Sequence, residues 1–214
     1  MKKLVLSVAF VALTMGVSNA QNVKFGVKAG LNLATIVGDF TRDDSIRTSF
    51  HFGGIAEIVI SNKFSVQPEL LYSSQGAALS FTEPDFLGGT SRVASDDKLD
   101  YLNIPIMAKY YVYEGLSIEA GPQIGVLLSA ERERTTTTTS DTGVITTQSA
   151  TEDIKDDLST LDLALGLGLG YKLNNGLNFS ARSNFGLSNI NDFDGSDDFN
   201  QQNSVFQLSV GFTF

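Results

Sequence analysis

Nine charged side chains, Lys24, Lys28, Glu57, Glu69, Lys109, Glu119, Asp162, Lys172 and Arg182, sit on the polar side of stretches that otherwise alternate apolar and polar residues. Carboxylates held close together can do acid/base chemistry, one giving a proton and the other taking it, provided a substrate reaches them. His51, the single histidine, could join them. It lacks company, because no Ser-His-Asp spacing or nucleophile-elbow motif accompanies it. Cys is absent, which removes thiolate nucleophiles and Cys-based metal sites, and one His removes most His-metal chemistry. The competing reading is structural. In a narrow, dry interior an unpaired ion costs several kcal/mol, so opposite charges in comparable numbers are expected to pair. Glu57, Glu69, Glu119 and Asp162 are therefore expected to pair with Lys28, Lys109 and Arg182, filling the interior and denying a substrate access. On that reading the chain is not an enzyme and has no cofactor and no metal site, and His51 is a hydrogen-bonded interior or rim histidine.

The elements that position these residues are legible as eight runs of period two, the signature of strands with two different environments. In the first, Val23, Phe25, Val27, Ala29, Leu31 and Leu33 oppose Lys24, Gly26, Lys28, Gly30 and Asn32. The second spans Phe50 to Ile60, the third Phe64 to Gln75, the fourth Tyr101 to Tyr110 and the fifth Ser117 to Leu128. In the sixth, Leu161, Leu163, Leu165, Leu167, Leu169 and Tyr171 alternate with Asp162, Ala164, Gly166, Gly168, Gly170 and Lys172. The seventh runs from Leu177 to Leu187, and the eighth sets Phe206, Leu208, Val210, Phe212 and Phe214 against Val205, Gln207, Ser209, Gly211 and Thr213. Ser61-Asn62-Lys63, Tyr113-Glu114-Gly115 and Asn174-Asn175-Gly176 read as tight turns. Long polar segments, roughly 38–49, 77–98, 131–157 and 191–202, lie between them. Tight and long connections in strict alternation are the asymmetry of a transmembrane barrel.

The sense of each face follows from size. An eight-stranded barrel leaves an interior just wide enough for side chains, which suits the Gly/Ala/Asp face of the sixth strand, while its leucines suit lipid. Apolar-side aromatics gather at strand ends, Phe50, Phe52 and Tyr72 toward one rim and Phe64, Tyr171, Phe179 and Phe212 toward the other, as at membrane interfaces. The expected fold is an all-β, eight-stranded antiparallel up-and-down transmembrane barrel. A mean hydropathy of only +0.04 fits such two-faced strands. Pro68 and Pro105 fall inside strand runs, where bulges near a rim would accommodate them.

The front of the chain, Lys2 and Lys3 before an apolar run from Leu4 to Val17 and then Ser18-Asn19-Ala20, reads as a signal peptide over 1–20, leaving the barrel domain over 21–214. Phe212 and Phe214 resemble the C-terminal assembly signal of bacterial outer-membrane barrels, read by the barrel-assembly machinery. The net charge of -9 argues against nucleic acid. The acids concentrate in the long segments, where they could share divalent cations with lipopolysaccharide phosphates. The segment Asn191 to Asp198 lacks the first ligand of a calcium loop, Ile190 standing in its place. The run Thr135 to Thr139 reads as a flexible or strand-extending hairpin above the membrane.

The stretch Gln67-Pro68-Glu69-Leu70-Leu71-Tyr72-Ser73-Ser74-Gln75-Gly76, the stretch Tyr101-Leu102-Asn103-Ile104-Pro105 running to Lys109-Tyr110, Gly121-Pro122 and the Arg182 strand resemble the PorT-like outer-membrane β-barrel family, and the likeness covers essentially the whole mature chain. The family's shape is similar to OmpX-like and OmpA-like small barrels. The resemblance implies a bacterial outer-membrane location and, by fold analogy, an accessory part in protein secretion. From the residues, the expected role is non-catalytic: a monomer among outer-membrane lipids and lipopolysaccharide, with both termini periplasmic and acidic outer loops contacting partners. The alternatives are an enzyme with a rim active site and a narrow channel or small-ligand binder.

Overall fold

The computed structural model describes residues 23–39, 44–84, 89–193, 195 and 199–214, so the expected signal peptide lies outside the described residues. Ten strands are present among them: β1 (Val23–Gly38), β2 (Asp44–Ser45), β3 (Arg47–Ser61), β4 (Phe64–Pro84), β5 (Thr90–Tyr113), β6 (Leu116–Thr139), β7 (Ile145–Asp153), β8 (Leu161–Lys172), β9 (Leu177–Gly186) and β10 (Gln201–Thr213). Eight form the wall in the order β1-β3-β4-β5-β6-β8-β9-β10, and β10 returns to β1. That seam is antiparallel and unbroken from Gly26↔Thr213 to Gly38↔Gln201. With every wall strand paired on both sides no edge remains within the tube, the condition for a sheet to cross hydrocarbon.

Side chains follow the expected faces. The outward residues of β8, from Leu161 to Tyr171, are 40–56% exposed, whereas Asp162, Ala164 and Gly166 between them are buried. The interior is tight enough to need glycine: a Cβ on Gly30 would stand 2.0 Å from the carbonyl oxygen of Leu208, and one on Gly121 2.0 Å from that of Ile106. Outside, the rings of Phe50, Phe52 and Tyr72 cluster with centroids 5.3–6.2 Å apart. Phe64 faces Tyr110 and Tyr171 faces Phe179 toward the opposite end. The three tight turns lie at that opposite end, with Gly115 and Gly176 at φ +83 and +92.

Two expectations are corrected. Residues 77–84, 90–98 and much of 131–157 are not loops: β4, β5 and β6 continue well beyond the wall and β7 folds back on β6 from Ile145 to Asp153. The strand-extending reading of the Thr run is thus the one observed. Above the wall both sheet faces meet water, so the apolar alternation that marks a lipid-facing strand is lost while backbone pairing persists. The prolines, secondly, sit at no bulge. Register shifts occur at Val59/Ser61, Asp100/Tyr101 and Tyr111/Tyr113. At Pro68 the β3–β4 ladder skips from Ile55↔Glu69 to Ile58↔Val66 with register unchanged. The β4–β5 ladder skips in the same way at Pro105, from Pro68↔Ile106 to Leu71↔Asn103, and the β5–β6 ladder at Pro122, from Pro105↔Gln123 to Ala108↔Ala120. Each ring nitrogen lacks a proton to donate, and a two-residue gap absorbs the loss without shifting the faces.

Candidate functional site

Five of the nine charged residues of the inward parity meet at mid-barrel. Arg182 on β9, 1% exposed, donates to both oxygens of Glu69 on β4 at 2.8 and 3.0 Å, and also to Glu119 on β6 at 3.2 Å. Lys28 on β1, with only β3 between, reaches Glu69 at 3.2 Å, and Lys109 on β5 reaches Glu119 at 3.1 Å. Neutral groups complete the set: Gln67 donates to Glu69 at 2.7 Å and accepts from Lys109 at 3.1 Å. Five charges from five strands thereby cross-brace the wall, three cations against two carboxylates. A bidentate guanidinium suits this position because its planar fork matches a carboxylate and it remains charged when buried.

Two of the anticipated acids take other partners. Glu57 does not join the central group. It pairs with Lys172 near the turn end and accepts from the Tyr111 hydroxyl and from Ser65 at 3.1 Å. Asp162 departs further, since no ion pair reaches it among the described residues. Its carboxylate accepts from Ser188 at 3.0 Å and Asn203 at 3.2 Å. The reason is height: Asp162 opens β8 opposite Gly125 near the extension end, whereas Arg182, one of the three cations expected to pair with the acids, lies opposite Gly168 lower on the same strand. Lys172 carries the same inward parity as the residues chosen from the sequence, and that parity was the signal available for it. Lys24 lines the open mouth at the turn end, a vestibule of about 720 Å³ floored by Glu57, Tyr111 and Lys172.

His51 is 1% exposed inside the tube, its Nδ1 2.8 Å from Asn32 Oδ1 and its Nε2 2.9 Å from Ser209 Oγ. Asn32 is itself held by Gln207 at 3.0 Å, Ser73 at 3.0 Å and the Ser74 carbonyl at 2.6 Å. Both ring nitrogens are thus engaged in a packed polar layer. Phe212 and Phe214 stand on the outer face with their rings edge-to-face at 5.7 Å.

The extension end of the lumen is closed by an apolar plug that sequence reasoning missed. Ile36, Ala77, Leu99, Tyr101, Leu127 and Ala130 from the wall pack with Ile154 and Ile190, which two connecting segments fold inward. Nothing local marks these two isoleucines, each set in a polar segment. Above the plug Arg132 grips Asp97 through two bonds of 2.7 and 2.6 Å, and these bonds hold its guanidinium proton more firmly than usual.

The family model for the outer membrane protein beta-barrel domain matches residues 19–192. The chain belongs to that family. Among curated proteins none matches this outer-membrane barrel by sequence. Among solved structures it is similar to the crystal structure of Ail, the attachment invasion locus protein of Yersinia pestis, at 14% identity and a TM-score of 0.47, over 89% of this chain and 98% of that one. Neisserial surface protein A gives 12% identity and a TM-score of 0.47 over 89% and 97% of the two chains. CarO of Acinetobacter baumannii gives 14% and 0.40 over 87% and 97%. In this outer-membrane barrel Ile154 and Ile190 pack over the extension end of the cross-braced lumen, and the part that departs most from a bare tube is the raised sheet.

Proposed function

We propose that this barrel is a non-catalytic surface-interaction protein, its turn end and both termini in the periplasm and its raised sheet outside the cell. The observation that carries the reading is β7. All nine of its residues, Ile145 to Asp153, are exposed, and among the described residues its ladder runs to β6 on one side alone. The strand contains no Lys, no Pro and no register shift, the usual devices that blunt an edge. On the opposite border β2 covers Ala78 and Leu79, and Pro84 closes the end of β4. The sheet therefore presents one long open edge, a template to which an extended segment of another protein adds as a further strand. Acidic residues around its base, Glu131, Glu133, Glu152 and Asp153, outnumber the interleaved Arg132 and Arg134 and favour a partner segment with positive charge.

A photo-crosslinker at Thr147 on living cells tests this, with one at Leu165 on the lipid face as reference. The expected result is a protein adduct at Thr147 that disappears when Gln148→Lys charges the edge, and lipid alone at Leu165. Lipid or no adduct at both sites refutes the reading. By the likeness of the Gln67–Gly76 and Tyr101–Tyr110 stretches to PorT-like barrels, the partner belongs to a protein-secretion system; this extension fails if secretion is unchanged in cells lacking the protein.

A further inference from the structure

The two ends of β7 carry different chemistry on one face of the raised sheet. Alternate residues of β7, from Ile145 through Asp153, share that face with their register partners on β6, from Thr139 down to Glu131. At the base Asp153 stands directly opposite Glu131, and Glu133 follows on the same face opposite Thr151. Like charges facing each other across a ladder oppose its pairing. No ion pair among the described residues reaches any of these three carboxylates, and Asp153 accepts only the Lys155 amide at 3.0 Å. The nearby cations are engaged or turned away. Lys98, opposite Glu131 on β5, pairs with Asp100 at 3.2 Å, and the Lys155 ammonium donates to the Leu128 carbonyl at 2.7 Å. Arg132, held by Asp97, and Arg134 lie on the other face by parity. At the tip the acid-bearing face ends on Ile145, 66% exposed, beside Val144 at 62%.

We infer that the occupant of this edge is a segment as long as β7, nine residues, with a fixed order: basic side chains first and third, β-branched residues through the middle, and an apolar side chain last. This rests on the reading of β7 as an open edge and adds the direction and register of what docks there. Every ladder among the described residues is antiparallel, and antiparallel pairing is the more stable per residue. Because β7 descends from the hairpin tip to the base, an antiparallel partner ascends, its first residue opposite Asp153 and its last opposite Ile145. Its first, third and last side chains then fall on the acid-bearing face. A Lys or Arg opposite Asp153 relieves the repulsion with Glu131, and a second, opposite Thr151, extends over that short side chain toward Glu133. The apolar residue at the far end covers Ile145 and takes it out of water. Main-chain hydrogen bonds supply affinity without choosing an order; the side chains at the two ends choose it. A cationic segment is the fitting occupant, because among the described residues no three acids are grouped to hold a metal ion.

The test uses the folded full-length protein in detergent micelles and two fluorescent peptides of one composition, blocked at both ends. The ordered peptide is Lys-Thr-Lys-Thr-Val-Thr-Val-Thr-Ile, and the inverted peptide is the same sequence written backwards. Fluorescence anisotropy at low ionic strength reads their affinities. The ordered peptide is expected to bind about ten times more tightly than the inverted one, the combined effect of several cross-strand pairs. That preference should shrink in the double variant Glu131→Gln with Asp153→Asn and in Ile145→Ser, surface changes outside the wall whose folding is checked by the heat-dependent shift in gel migration. An ordered peptide N-methylated at every amide should not bind, since it cannot donate to the edge. Equal affinity of the two peptides, abolished by N-methylation, would overturn the order and direction while leaving the edge as the docking place. A preference that persists unchanged in both variants would overturn the register. Failure of both peptides to bind, or binding indifferent to N-methylation, would overturn the edge as well.

Discussion

Replacing Glu69 by glutamine removes one negative charge from the centre of the tube and almost nothing else, since the side chain keeps its length and shape. Glu69 faces Arg182 at 2.8 Å and Lys28 at 3.2 Å, and all three are buried. Two unit charges about 3 Å apart attract by roughly 5 kcal/mol at an effective dielectric near 20. Two such contacts outweigh the several kcal/mol spent in burying the carboxylate. With glutamine in place, three cations answer to Glu119 alone, and the loss of one partner from a buried pair costs about 3–5 kcal/mol. Adding Lys28→Met to Glu69→Gln removes the stranded cation and returns the centre to one excess positive charge. The double variant is therefore expected to be less damaged than the sum of the single changes, with a coupling of about 0.5–3 kcal/mol. Trp is absent, so urea titration in detergent is followed by circular dichroism and by the heat-dependent shift in gel migration. A cost for Glu69→Gln below about 1 kcal/mol, within the usual range for an exposed pair, or strict additivity in the double variant, would refute the argument that these charges brace the wall.

Other perturbations test other parts of the architecture. Leu165→Arg puts a charge into hydrocarbon and should cost about 2–4 kcal/mol, whereas Thr137→Arg on the raised sheet should stay within about 0.5 kcal/mol; equal urea midpoints would contradict the assigned faces. Gly30→Ala drives a methyl against the Leu208 carbonyl oxygen and the His51 ring, an overpacking cost of about 1–3 kcal/mol in the same titration. Asp97→Asn weakens a partly exposed pair with Arg132 and should cost no more than about 1 kcal/mol, with a smaller loss at high salt. In planar bilayers the folded protein should leave the membrane silent, because the Ile154 and Ile190 plug closes the lumen; discrete conductance steps would count against that seal.

What the sequence made legible was whatever the bilayer imposes. A strand wetted by lipid on one side and packed on the other must alternate, so β8 could be read residue by residue, and the inward parity alone located Lys28, Glu69, Glu119 and Arg182. Which charges meet was less legible, because partners lie at equal height on strands far apart in sequence. Parity gives the face but not the height, and Asp162 was accordingly assigned a cation that sits lower in the tube. Apart from the Thr135 to Thr139 hairpin, the raised sheet escaped because polar strands in water carry no period, and the plug because Ile154 and Ile190 arrive through chain reversal rather than pattern. The prolines were expected to distort the register and instead left gaps in it.

Those gaps divide the tube mechanically. The seams missing rungs, β3–β4, β4–β5 and β5–β6, adjoin one another, and the last lies diametrically across the ring from the continuous zipper where β1 meets β10. Compliance is therefore concentrated on the flank away from the suture. A half-formed wall can bow along that slanted crease while its two ends are brought into line, so the elasticity required for closure resides where the final stitch does not.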